Sequence, residues 1–147
     1  MKRILSAIAV AMIFVASVSC TKSDVGRTSA TAETLDATDV SFKTFTLNAV
    51  FTIKGDGNTP CKYGILVGTE PGLTYKTGIF TSNEYVSDPG TYEYSYIMKN
   101  VVDDLVIPWT KFLPGQEVFY RAAIELVGIN ESKYVYGEEK SLIVPLK

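Results

Sequence analysis

The sequence predicts an all-β protein, an antiparallel β-sandwich of about seven strands. Apolar and polar residues alternate through several successive windows. Gly, Pro, Asn and Asp cluster between those windows as turn signals. No window after the N-terminal leader shows convincing helical periodicity.

The leader comes first. Met1-Lys2-Arg3 is short and basic, and residues 4–18 form an uncharged apolar run. A transmembrane helix needs about 20 apolar residues, so this run is short for a span and suits a secretory signal peptide over residues 1–19. Ser17-Val18-Ser19-Cys20 sets small residues before a cysteine. This resembles the lipobox of bacterial lipoproteins, which implies a lipid on Cys20. The lipobox usually carries Leu where this chain has Ser17. Ser17 and Ser19 also satisfy the small-x-small rule of ordinary signal cleavage. Either enzyme cuts the bond before Cys20, and the two differ in the fate of its thiol. Each buried acyl methylene adds about 0.8 kcal/mol of membrane affinity, and two chains already anchor stably.

Residues 20–39 are expected to be the lipidated cysteine and a flexible linker. The stretch 21–38 is rich in Thr, Ser, Ala and Asp and lacks aromatic residues, which leaves little to pack. An irregular first strand is the alternative. One domain is expected over 40–147.

Within it, Phe45, Leu47, Ala49, Phe51 and Ile53 alternate with Thr46, Asn48, Val50 and Thr52, the period of a half-buried strand. Gly55-Asp56-Gly57-Asn58 is a turn. Cys61, Tyr63, Ile65 and Val67 mark one face of a second strand, ended by Glu70-Pro71-Gly72. Asp88-Pro89-Gly90 separates a short strand over 83–87 from another over 91–98, which carries Tyr92, Tyr94, Tyr96 and Met98 on one face. Leu105, Ile107 and Trp109 form a further segment, where Pro108 demands an edge or a bend. After Leu113-Pro114-Gly115, Val118, Tyr120, Ala122, Ile124 and Leu126 alternate with Phe119, Arg121, Ala123 and Glu125. Gly128-Ile129-Asn130-Glu131 turns the chain into a single closing strand over 134–144. Such short strands with regular turns suggest an immunoglobulin-like or fibronectin-like sandwich.

Composition excludes several function classes. The net charge is −2, and removal of Lys2 and Arg3 with the leader takes it to −4. There is no basic block, so nucleic acid is not an expected partner. The sequence has no histidine, which removes the commonest general base and the commonest zinc ligand. Asp56-Gly57-Asn58 lacks the acidic spacing of a calcium loop. No catalytic residues, metal or cofactor are expected.

Three stretches together resemble fibronectin type III-like domains in lipoproteins of the Bacteroidetes. Residues 61–71, CKYGILVGTEP, are similar to the third strand of those domains. Residues 112–122, FLPGQEVFYRA, are similar to the sixth, and 134–139, YVYGEE, to the closing strand. The chain departs where the family often has a tyrosine corner, because Val118 stands there. That corner is expected to be held by packing. The resemblance implies a lipid-anchored domain on the cell outer membrane. Thr21 is also not the aspartate that tends to retain lipoproteins at the inner membrane.

The candidate ligand-binding residues are Tyr92, Tyr94, Tyr96 and Trp109. The tyrosine stripe suits either a carbohydrate platform or core packing, and the single tryptophan either an anchor or a core residue. Phe119 and Arg121 share a strand face, where a cation–π contact to the next strand would serve structure. Asp103-Asp104 and Glu138-Glu139 are adjacent carboxylates that point to opposite faces, and are expected to be solvated. Cys61 reads as a buried inert thiol. The expected function is a non-catalytic, lipid-anchored module for adhesion or protein scaffolding. The alternative is a glycan-binding accessory lipoprotein of a polysaccharide uptake system.

Overall fold

The computed structural model describes residues 27–82, 84–99 and 112–146. Cys20, Asp103, Asp104, Trp109 and the strand expected around Ile107 lie outside them, as does the leader. The described residues form nine strands: β1 (Ser29–Thr34), β2 (Thr44–Lys54), β3 (Cys61–Gly68), β4 (Ile79–Phe80), β5 (Tyr85–Val86), β6 (Gly90–Lys99), β7 (Glu117–Leu126), β8 (Lys133–Tyr136) and β9 (Lys140–Ile143). All pairings are antiparallel. One sheet runs β1-β2-β6, and the other runs β4-β3-β7-β8, with β5 also on β3 and β9 also on β7. This is the expected all-β sandwich. Its strand distribution is immunoglobulin-like, with β1, β2 and β6 opposed to β3, β7 and the closing β8 and β9.

The inward faces follow the alternation read from the sequence. Phe45, Leu47, Ala49, Phe51 and Ile53 of β2 meet Cys61, Tyr63, Ile65 and Val67 of β3 and Val118, Tyr120, Ala122, Ile124 and Leu126 of β7. Burying each large apolar side chain here stabilises the fold by about 1.5–3 kcal/mol. Val118 is fully buried in this core.

Two expectations are corrected. The linker does not extend to Thr38, because Ser29–Thr34 is a paired edge strand. It lacks large apolar side chains because Ala30 and Ala32 suffice against the core at an edge. It is held instead by polar ties. Ala37 N–H donates to the Tyr120 hydroxyl at 3.0 Å, and Ala122 N–H donates to Thr34 Oγ1 at 2.9 Å.

The closing segment is two strands rather than one. Tyr136 opposes Ala123, whereas Lys140 opposes Tyr120, so three residues face two. This bulge reverses the parity of the strand. Val135 points inward from β8, but Leu142 points inward from β9. Gly137 stands at the bulge, where a Cβ would lie 2.6 Å from Thr34 Oγ1. Only glycine lets β1 pass that close.

Candidate functional site

Of the two readings of the tyrosine stripe, core packing is the one the structure fits. Tyr92, Tyr94 and Tyr96 are half-buried and pack against the core. The Tyr63 ring lies 5.4 Å from Tyr92 and 6.0 Å from Tyr94. The Tyr92 hydroxyl donates to Asp88 O at 2.6 Å, and that of Tyr94 to Thr81 O at 3.1 Å. Burial pushes the Tyr94 hydroxyl above the usual tyrosine range. The stripe faces inward because its alternates, Thr91, Glu93 and Ser95, are the polar ones.

The aromatic surface of the described residues is elsewhere, on the outer face of the six-stranded sheet. Leu66 and Ala123 face outward from β3 and β7, yet both are fully buried. They sit beneath a second layer of Leu73, Tyr75, Phe80, Phe119 and Tyr136. Gly64 makes room for it, since a Cβ there would lie 2.7 Å from Ser82 Cβ and 3.1 Å from the Phe80 ring. The Tyr75 ring lies 4.7 Å from Phe80 and 4.4 Å from Tyr134.

Polar contacts pin this layer. Arg121 donates to Gly137 O at 2.6 and 3.0 Å and to Leu73 O at 3.2 Å, and its guanidinium lies 4.8 Å from the Tyr136 ring centre. The cation–π contact expected of Arg121 is therefore present. Glu139, expected to be solvated, instead accepts from Gly72 N–H at 2.9 and 3.1 Å and from Leu73 N–H at 2.7 Å.

At one end of this layer a row of four residues crosses the sheet. Tyr85 opposes Lys62, Lys62 opposes Glu125, and Glu125 opposes Tyr134. Neighbouring strands are about 4.8 Å apart, so the row spans about 14 Å. Its two ends are open, with Tyr85 61% and Tyr134 46% exposed. Lys62 Nζ lies 5.3 Å from the Phe80 ring centre and 5.7 Å from that of Tyr85. The Tyr75 hydroxyl is buried without a hydrogen-bond partner. Burial pushes its pKa far above the usual tyrosine range, and the Glu125 carboxylate adds to the shift. Tyr134 is raised by the same two causes, burial first. Aromatic faces flanking a cation and an anion can pack on a partner and hydrogen-bond its polar groups.

Sequence reasoning missed this surface, although two signals for it exist. Ile65-Leu66-Val67 is apolar at both parities, the mark of a strand covered on both faces. Tyr134-Val135-Tyr136 alternates two aromatics around an inward valine.

Other features carry less. A shallow depression of about 460 Å³ lies outside the three-stranded sheet, lined by Leu35, Asp36, Asn48, Glu93 and Ser95 among others. Its polar groups bond to one another: Asn48 Nδ2 donates to Asp36 O and to Thr38 Oγ1, and Ser95 Oγ donates to Asn48 Oδ1. Cys61 is fully buried, which raises its thiol pKa, and its Sγ lies 3.4 Å from Thr59 O. Among the described residues no group of His, Cys, Asp and Glu is arranged to hold a metal ion. Comparisons with family models, curated proteins and solved structures find no match.

Proposed function

We propose that the chain is a non-catalytic, lipid-anchored module of the bacterial cell envelope, related to the fibronectin type III-like lipoproteins. In this reading it adheres to, or scaffolds, a protein partner. The row Tyr85–Lys62–Glu125–Tyr134 carries the proposal. Large aromatic side chains are exposed there beside charges of both signs, and the rigid sheet beneath keeps the entropic cost of binding low. The leader and Cys20 support the anchor, and the absence of histidine argues against most hydrolytic chemistry.

The same row gives the glycan reading a different location. Exposed Tyr85 and Tyr134 offer faces for sugar rings, with Lys62 and Glu125 placed for hydroxyl groups. The inward Tyr92, Tyr94 and Tyr96 do not.

The anchor is tested by fractionating cells that express the full chain. Cys20→Ala is expected to move the protein from the membrane fraction to the soluble envelope fraction. Retention at the parent level would overturn lipid anchoring.

A further inference from the structure

β6 is the outer strand of the three-stranded sheet, and its backbone polarity can be worked out. Thr46 N–H donates to Thr38 O at 2.8 Å, Thr38 N–H donates to Thr46 O at 2.9 Å, and Leu35 N–H donates to Asn48 O at 2.9 Å. Even-numbered groups of β2 therefore turn toward the β1 side. Its odd-numbered groups must turn toward β6, because successive residues of a strand bond to opposite sides. The residues opposite them on β6 are Tyr92, Tyr94, Tyr96 and Met98. The N–H and C=O groups of Thr91, Glu93, Ser95, Ile97 and Lys99 consequently point along the outer edge. Among the described residues no strand pairs with that edge.

Edge strands are usually blunted by proline, by bulges or by repelling charges. β6 has neither proline nor bulge, and its two charges are of opposite sign. Its register on β2 is unbroken from Lys99 to Gly90, and Ile97 is 58% exposed. Its only charges are Glu93 and Lys99.

We propose that this edge pairs antiparallel with the same edge of a second copy, on a two-fold axis at Tyr96. Hydrogen bonding across the edge must join odd-numbered residues to odd-numbered residues. An axis at Tyr94 sets Glu93 opposite Ser95, and one at Ser95 sets Glu93 opposite Ile97. An axis at Ile97 sets Lys99 opposite Ser95. Only the axis at Tyr96 sets Glu93 opposite Lys99, and symmetry does so twice. The same axis sets Ser95 opposite Ile97 and makes the two Ile97 side chains diagonal neighbours, about 7–8 Å apart. The two three-stranded sheets then join into one continuous sheet with both β6 strands at its centre.

Cysteine cross-linking of the full chain in intact cells reads the axis directly. The Tyr96 pair is not hydrogen-bonded, so its Cα atoms approach to about 4.5 Å, within disulfide reach. Under mild oxidation Tyr96→Cys is expected to give a disulfide-linked dimer above the parent level, while Tyr94→Cys and Ser95→Cys are not. Cross-linking only at position 94 or 95, or at none of the three, would overturn the proposal. Tyr96 packs on the core, so exposed substitutions provide a second arm. In detergent-solubilised lipidated protein, Glu93→Lys is expected to raise the dimer dissociation constant about tenfold or more, and Glu93→Lys with Lys99→Glu to restore it. A parent chain that sediments as a monomer, or a charge reversal without effect, would also overturn it.

Discussion

Two tyrosine stripes in this protein share one period and face opposite ways. Tyr92, Tyr94 and Tyr96 on β6 turn into the sandwich, whereas Tyr134 and Tyr136 on β8 turn out of it. The neighbours decide the direction. On β6 the alternates are Thr91, Glu93 and Ser95, which must stay in water. On β8 the alternate Val135 takes the inward place, and the tyrosines are left to build an outer layer with Tyr75 and Phe80. A tyrosine stripe is thus not itself a binding signal. The residue between the tyrosines decides whether the stripe packs inward or is left on the outer face.

The largest contrast is in stability. Phe51 is fully buried between the sheets, and Phe51→Ala is expected to cost about 3–5 kcal/mol in chemical denaturation. Tyr134→Ala in the outer stripe should cost less than about 1.5 kcal/mol, because nearly half of the residue already faces water. Equal losses would erase the distinction between core and surface.

A smaller effect tests how β1 is held. Thr34→Val keeps the shape but leaves the buried Ala122 N–H without its acceptor. The expected cost is about 1–3 kcal/mol, with faster amide exchange along β1. An unchanged midpoint would mean that side-chain packing, not this hydrogen bond, holds the strand.

The smallest effect has the opposite sign. Tyr75→Phe removes a buried hydroxyl that has no partner and should stabilise the fold by about 1 kcal/mol or less. Alkaline titration sharpens this. The folded-state pKa values of Tyr63, Tyr75, Tyr94 and Tyr120 are raised, mainly by burial. Their contribution to stability is therefore complete below the unfolded value of about 10 and is lost as pH rises through the folded values. Denaturation midpoints should fall above pH of about 10, and fall less steeply in Tyr75→Phe. A flat alkaline profile would contradict the burial of these hydroxyls.

The inner core was legible because one parity of β2, β3 and β7 is apolar throughout, and the turns between them carry Gly, Pro, Asn or Asp. β1 was not, because its fold depends on partners distant in sequence: Tyr120 lies 83 residues from Ala37, and Ala122 lies 88 from Thr34. The bulge at Gly137 was equally hidden, since its cause is the approach of Thr34. The row Tyr85–Lys62–Glu125–Tyr134 depends on register across four strands, which no local pattern specifies.

The most direct test is a photoreactive phenylalanine analogue placed at single positions of the full chain in living cells. At Tyr134, on the outer face of the six-stranded sheet, irradiation should give adducts with a protein other than this chain, and Lys62→Glu should diminish them. At Thr31, exposed on the three-stranded sheet, it should give none. Adducts at position 31 without any at 134 would contradict the assignment of the binding surface.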